Sequence, residues 1–400
     1  MANYKIGLIF SDTGGGHRSA VDAVDAALRE LITCEPRNHT FELTSDNVVE
    51  KTHPVNQAFV DFYNSLLRNN NQRWMKYYYN FIEVIRPNDS EIGYKLSAPY
   101  IKKWLTEVNP DVLVSVHPMC NQYFVRALKE LGMLGKTKFV TIVTDPNGEF
   151  WRGWACPDAN VTCVPNELGK KQLIEWGVRA ERIFVSGMPV NPDFTKAPSV
   201  SKAEFRNHLG LHADRLTVCI NGGWAGGGNM LSIYRELGRV RRQVQAIFLC
   251  GHNRSFYEQA KKEAKHSPIP TAVLPFHDRM SDLMAAVDLM VTKAGGLTTF
   301  EAIARRLPMA IDMVTKPMPQ EAGTVKIICE QGLGFGIQKP SDIIQIVETL
   351  EPVPNREAVV LPTAYSLDQV NAVHNIARSV LGLCDPVYSS ALPISVTESH

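Results

Sequence analysis

The sequence lacks paired cysteines. Its eight, at positions 34, 120, 156, 163, 219, 250, 329 and 384, include no Cys-x-x-Cys and no Cys/His cluster at zinc spacing. That excludes a zinc module and a disulfide scaffold, and predicts scattered, reduced, mostly buried thiols. It also lacks any stretch near eighteen uninterrupted apolar residues, so no segment is expected to span a bilayer. Neither sign of charge is in surplus. Forty-two basic against forty-one acidic side chains leave a formal net charge of +1, so no chain-wide field recommends nucleic acid as a partner. The first residues run into a strand-like segment and Asp12 without a basic start or an apolar leader, which predicts a cytoplasmic chain, soluble or peripheral on the inner face of the cell membrane.

What is present is ordinary globular composition, 44% hydrophobic and 21% charged, over 400 residues. That length suits two α/β domains better than one core. Residues 4–10 form a β-rich run ending in Ser11-Asp12-Thr13-Gly14-Gly15-Gly16-His17, after which Ala20, Val21, Val24, Ala27, Leu28 and Leu31 recur at helical spacing. Residues 216–221 lead likewise into Gly222-Gly223-Trp224-Ala225-Gly226-Gly227-Gly228 and an amphipathic stretch. Further short apolar runs at 112–116, 139–143, 161–164, 246–250, 289–292 and 309–312 alternate with helical patterns, which predicts parallel sheets covered by helices on both faces. The expected division is a first domain over 1–200, a second over 201–362, a helix over 363–383 returning to the first, and a tail over 384–400.

A glycine loop between a parallel strand and a helix lets backbone N–H groups approach an anion at the helix N-terminus. One such loop serves equally as a tight turn; two at equivalent places point to oxyanion binding. Neither matches the P-loop, and neither gives a G-x-G-x-x-G with an acid about twenty residues on, so ATPase and dehydrogenase readings lose ground. His17 sits where the helix dipole disfavours imidazolium, as a neutral general base or as a capping or anion-bonding group. Glu301, early in a predicted helix after Lys293-Ala294-Gly295-Gly296, is placed to accept from a vicinal diol such as ribose, or is simply a favourable residue near a helix start.

Taken in order, Gly14-Gly15-Gly16-His17, Ser115-Val116-His117-Pro118, Thr144-Asp145, Gly187-Met188-Pro189-Val190, the loop at 222–228, Cys250-Gly251-His252-Asn253, Lys293-Ala294-Gly295 with Glu301-Ala302, and Gln320-Glu321-Ala322-Gly323 resemble the monogalactosyldiacylglycerol synthases. Related families are the processive diacylglycerol glucosyltransferases and the lipid II-forming N-acetylglucosaminyltransferase MurG. The resemblance implies a GT-B fold, two Rossmann-like domains facing across a cleft, and an inverting UDP-hexose transferase that needs no metal or other cofactor. On that resemblance Gly222, Gly223, Gly226 and Gly227 cradle the diphosphate with Asn253 nearby. Phe276 meets the uracil, Gly295, Gly296, Thr298 and Glu301 take the ribose side, and Gln320 and Glu321 the hexose. His17 is the base with Asp145 as a second member, and Gly15, Gly16, His117, Trp151 and Trp154 line the acceptor. The plant galactosyltransferases carry His-Pro-x-Trp soon after Thr-Asp; here the histidine is absent, Gly296-Leu297 replaces Pro-Gly, and His252 stands for an arginine. Galactose, glucose and N-acetylglucosamine therefore all stay open as the sugar.

Residues 59–104 hold eleven aromatics and seven basic against four acidic side chains. That composition suits either an aromatic helical core or a surface meeting anionic lipid through Lys76, Lys102, Lys103 and neighbouring rings such as Trp104. The expected function is hexose transfer to diacylglycerol or a related lipid. A polyprenyl-linked or soluble acceptor, or a non-catalytic nucleotide-sugar-binding protein, is the alternative.

Overall fold

The short apolar runs become strands buried on both faces, which is what a parallel sheet between two helical layers requires. The computed structural model describes residues 2–35, 39–68, 86–146, 150–317, 319–351 and 371–391, with Trp74, Tyr77, Tyr78 and Ile82. Two compact units emerge, one of Met1–Phe62, Tyr77–Pro192 and Leu367–His400, the other of Tyr63–Lys76 and Asp193–Ser366.

The first unit contains β1 (Ala2–Ile9), β2 (His39–Asp46), β3 (Val112–Ser115), β4 (Lys138–Ile142), β5 (Val161–Val164) and β6 (Ile183–Val185). They form one parallel sheet in the order β2-β1-β3-β4-β5-β6. Its helices include α1 (Gly16–Cys34), α2 (Val48–Thr52), the part of α3 (Pro54–Arg68) up to Phe62, α4 (Glu91–Val108), α5 (Asn121–Glu130) and α6 (Glu167–Glu175). On α1 the predicted stripe Ala20, Val21, Val24, Ala27, Leu28 and Leu31 is buried, the spacing that presents one apolar face to a sheet. α4 starts where the Ser90 side chain accepts from the Gly93 amide and stops at Asn109 in the left-handed region. Trp104, expected to meet lipid, is instead 6% exposed and donates its indole N–H to Asp46 at 3.1 Å. A helix near the C-terminus, α14 (Ala372–Gly382), packs on α1 through His374–Glu30 at 3.1 Å and Arg378–Glu35 at 2.6 Å. The expected start of that helix, 363–370, and the tail beyond 391 lie outside the described residues.

The second unit opens with α7 (Lys202–His208), begun by a capping box between Ser201 and Glu204. It continues through β7 (Leu216–Asn221), α8 (Met230–Leu237), β8 (Val244–Leu249), α9 (Arg254–His266), β9 (Thr271–Leu274), α10 (Met280–Ala286), β10 (Leu289–Thr292), α11 (Gly296–Ala304), β11 (Met309–Asp312), α12 (Pro319–Glu330), β12 (Gly334–Ile337) and α13 (Asp342–Thr349). The parallel sheet runs β12-β11-β10-β7-β8-β9, the strand order of dinucleotide-binding Rossmann sheets. The strand order reverses between β1 and β3 in the first unit and between β7 and β10 in the second. In open α/β sheets ligands bind at that reversal, beyond the carboxyl ends of the strands. Both glycine loops, with His117 and Lys293, lie in the loops that leave those strands.

Among the described residues no helix is long and apolar enough to cross a membrane.

Candidate active site

In the first unit the chain leaves β1 through Gly14 and Gly15, with φ of 67° and 81°. The left-handed turn that only glycine takes easily brings His17 onto the first turn of α1. Glu50 fixes the loop by accepting from the Ser11 hydroxyl at 2.8 Å and the Asp12 amide at 2.6 Å. His17 Nδ1 lies 2.7 Å from the Val116 carbonyl. A carbonyl only accepts, so Nδ1 carries the proton and Nε2 the lone pair. Burial lowers the basicity of the ring to about 4, against the opposing pull of the Val116 carbonyl. Thr144 Oγ1 sits 3.2 Å from the same Nδ1.

His117, expected to touch the acceptor, is 6% exposed. Its Nδ1 accepts from the Met119 amide at 3.3 Å, so Nε2 donates to Thr13 Oγ1 at 3.1 Å. Burial, then the neighbouring His17, hold it well below the usual histidine range. The two rings meet edge-on with centroids 4.3 Å apart, which two neutral imidazoles of opposite tautomer tolerate. His117 therefore positions the glycine loop and His17. Trp154, also expected at the acceptor, is fully buried among Val143, Phe150, Val164 and Leu173. Its indole donates to Asp145 at 2.7 Å. Asp145 has its pKa pushed up by burial, partly countered by that bond. No hydrogen bond joins Asp145 to His17 among the described residues; the link is the Trp154 ring, 6.2 Å from the His17 ring. The Val116 carbonyl holds the place that a dyad would give to Asp145. Trp151 remains partly exposed, packed over Gly153, and the space over Gly16 is open.

In the second unit the loop after β7 packs backbone on backbone against the loop after β8. A Cβ on Gly226 (φ 64°) would lie 2.1 Å from the Cys250 carbonyl oxygen, and one on Gly222 would lie 2.8 Å from the Phe256 ring. The amides of Gly226 and Gly227 donate to the carbonyls of Gly223 and Gly222. These glycines therefore shape the cradle and do not themselves donate into it. Asn253 is likewise engaged at both ends, donating to the Gly226 carbonyl at 3.0 Å and accepting from the Phe256 amide at 3.1 Å as the cap of α9. It braces the loop. Gly223, with φ of 74°, has open space over its Cα. Phe276, 48% exposed beyond β9, stacks on His252 at 4.3 Å, and His252 in turn meets Trp224 edge-on.

Gly295 caps α11 through its backbone, and no Cβ clash enforces glycine there. Gly296 and Thr298 lie in the first turn of α11. Glu301 comes one turn later, with its pKa raised to about 7 by burial. Glu321 lies in the first turn of α12, while the Gln320 side chain is outside the described residues. Sequence reasoning passed over Lys293, which leaves β10 at the strand reversal. Its Cε would meet a Cβ on Gly228 at 2.7 Å, and its Nζ at 3.5 Å. Burial pulls this ammonium below the usual lysine range, against the attraction of Glu321 and Asp312. No hydrogen bond to it is made among the described residues. The signal was available: a lone cation immediately after a buried strand, opposite a glycine loop. Among the described residues no group of three His, Cys, Asp or Glu is placed to hold a metal ion.

Comparison with known proteins bears on the family and the fold. Residues 17–190 match the family described as monogalactosyldiacylglycerol (MGDG) synthase, and residues 228–317 match the glycosyltransferase family 28 C-terminal domain, together about two thirds of the chain. Monogalactosyldiacylglycerol synthase 1, chloroplastic, of Arabidopsis thaliana is 28% identical over 384 residues, covering 94% of this chain and 70% of the relative. Among solved structures, MurG of Acinetobacter baumannii superposes with a TM-score of 0.55 at 13% identity, over 94% of this chain and 99% of its own. A putative UDP-N-acetylglucosamine 2-epimerase of Listeria monocytogenes does so at 0.60 and 13%, over 96% and 97%. Transferases and epimerases share this architecture, so the fold by itself does not select a reaction. The family matches do select: the chain belongs to the monogalactosyldiacylglycerol synthase family of GT-B glycosyltransferases.

Proposed function

We propose that this hexosyltransferase moves galactose or glucose from a UDP-sugar to the hydroxyl of diacylglycerol, inverting the anomeric centre at an anionic membrane surface on the cytoplasmic side. His17 is the general base, and no metal or cofactor takes part. The observation that carries this reading is the fixed tautomer of His17, whose Nδ1–H is held by the Val116 carbonyl and whose Nε2 lone pair has no partner among the described residues. In the transfer the acceptor oxygen bonds to the anomeric carbon, the bond from that carbon to the diphosphate breaks, and the acceptor proton passes to Nε2. A base with a pKa of about 4 is weak. The attacking hydroxyl, however, becomes strongly acidic as its oxygen bonds to carbon, so a base that is always neutral suffices. The departing UDP finds its counter-charge in the second unit, where Lys293 and the dipole of α8 stand in for a cation.

Incubating the protein with mixed UDP-sugars and diacylglycerol, followed by mass and anomer analysis, should yield a monohexosyl lipid of inverted configuration. UDP binding without any product would leave a nucleotide-sugar-binding protein. His17→Ala should abolish transfer with UDP affinity unchanged. In the parent the acid limb of kcat/KM should lie near pH 4, because the neutral form persists until pH falls through the depressed pKa. Full activity of the variant would remove His17 from the mechanism, whereas a limb at about 6.5 would mean that the ring keeps an ordinary histidine pKa in the working enzyme.

A further inference from the structure

The first unit contains a cavity of about 200 Å³ that the reaction scheme leaves unused. Its interior is formed by Phe59 of α3, Ile82, and Met119, Cys120 and Tyr123 at the start of α5. Its rim is formed by Val55, Ile92 and Leu96. No Asp, Glu, Lys or Arg lines it, and its polar side chains His53, Asn56, Ser90, Ser97 and Tyr123 are hydrogen-bonded within the protein, so it offers no charge to a phosphate or a charged peptide. The rim is apolar yet open to solvent, Ile92 being 73% exposed, an arrangement that a buried core would not leave uncovered.

The inner wall also belongs to the active site. The amide of cavity-lining Met119 is the donor to His117 Nδ1, and the His117 ring packs edge-on against the base His17. Two contacts thus separate the cavity from the atom that takes the acceptor proton. At about 200 Å³ the cavity exceeds the roughly 150 Å³ that holds a benzene, but it is far too small for a whole lipid.

Resting on the lipid-acceptor reading above, we propose that this cavity takes a stretch of one acyl chain of the acceptor and so orients the glycerol hydroxyl toward His17. The second chain and the remainder of the first stay at the rim. Alkyl length then becomes a specificity determinant read by α3, α4 and the 118–123 segment.

The test is transfer to monomeric diacylglycerols with chains of about four to eight carbons. KM should fall about fourfold per added methylene until the cavity is full, with kcat nearly constant. Ser97→Leu, which puts a larger side chain on the cavity wall, should flatten that dependence, and Phe59→Ala should extend it to longer chains. Both variants should keep the parent's UDP affinity. Should Ser97→Leu fail to fold, Leu96→Trp at the rim replaces it. A KM blind to chain length in the parent, or one dependence shared by parent and variants, overturns the cavity assignment while leaving the acceptor reading intact. No transfer to any diacylglycerol overturns both.

Discussion

Lys293 is the side chain on which the proposed donor site turns. Its half-buried ammonium faces Gly228 at the strand reversal, where a diphosphate would replace the water that burial has removed. A hydrogen bond to a charged group contributes about 1.5–3 kcal/mol. Lys293→Met should therefore weaken UDP binding by about ten- to a hundredfold while leaving uridine binding unchanged, as measured by calorimetry. Equal losses for both ligands would make Lys293 a structural residue. Glu301 supports a second prediction. Its pKa of about 7 in the free protein means that a bound diol, which favours the carboxylate, must expel a proton. Uridine affinity should rise as pH goes from 6 to 8, with proton release visible in buffers of different ionisation enthalpy. Glu301→Gln should bind uridine more weakly and without pH dependence, and a parent with a flat profile would separate Glu301 from the ribose. The types and places of His17 and Glu301 were legible in the sequence, because a strand, a turn and a helix start can be read from spacing. The tautomer of His17 was not, because it depends on a carbonyl 99 residues away. Trp154 and Asn253 misled for the same reason: a motif shows that a residue matters, but only packing shows whether it faces the ligand or the scaffold.

At the level of elements, what the sequence hid follows one rule. The runs at 4–10, 112–116, 139–143, 161–164, 216–221, 246–250, 289–292 and 309–312 all coincide with strands, and these are the interior strands of the two sheets. The four that carried no clear signal, β2, β6, β9 and β12, are the four edges. An edge strand is covered less completely, as the half-exposed pattern of β2 shows, so selection for unbroken apolar runs is weaker there. Long-range polar staples were equally invisible. Arg206 on α7 is 2% exposed and donates to Asp288 at 2.7 Å and to the carbonyls of Ala213, Arg215 and Ala286, which ties α7 to the start of β10. Arg206→Met would strand a buried carboxylate and three carbonyls, at a cost of about 3–5 kcal/mol. Urea unfolding should show that loss, with part of it recovered in Arg206→Met/Asp288→Asn. A change below about 1 kcal/mol would mean that the remaining partners of Asp288, among them Lys202 and the Thr217 amide, suffice without Arg206.

For the molecule as a whole, the near-zero net charge bears on how the chain would meet a membrane. The basic surplus of residues 59–104 is partly neutralised in place, since Lys102 pairs with Glu130 and Lys103 with Glu107. Trp104 and Tyr94 are core residues. Among the described residues of this segment, the rings left outside are those of Phe62, Trp74 and Tyr77, each about half exposed. Attraction to lipid should then be carried by aromatic insertion more than by charge. An exposed basic residue near an anionic surface adds about 1 kcal/mol, and less once it is ion-paired. Finishing the burial of two half-exposed rings contributes at least as much as one fully buried apolar side chain, about 1.5–3 kcal/mol. In sedimentation with phosphatidylglycerol vesicles, Trp74→Ala/Tyr77→Ala should lower partitioning about tenfold or more, and Lys102→Ala/Lys103→Ala less than about threefold. Raising the salt from about 0.1 to about 0.5 M shortens the screening length severalfold at most and should release only a minor part of the bound parent protein. The reverse ranking, with binding lost in salt and in the lysine pair but kept without the two rings, would make the membrane contact electrostatic.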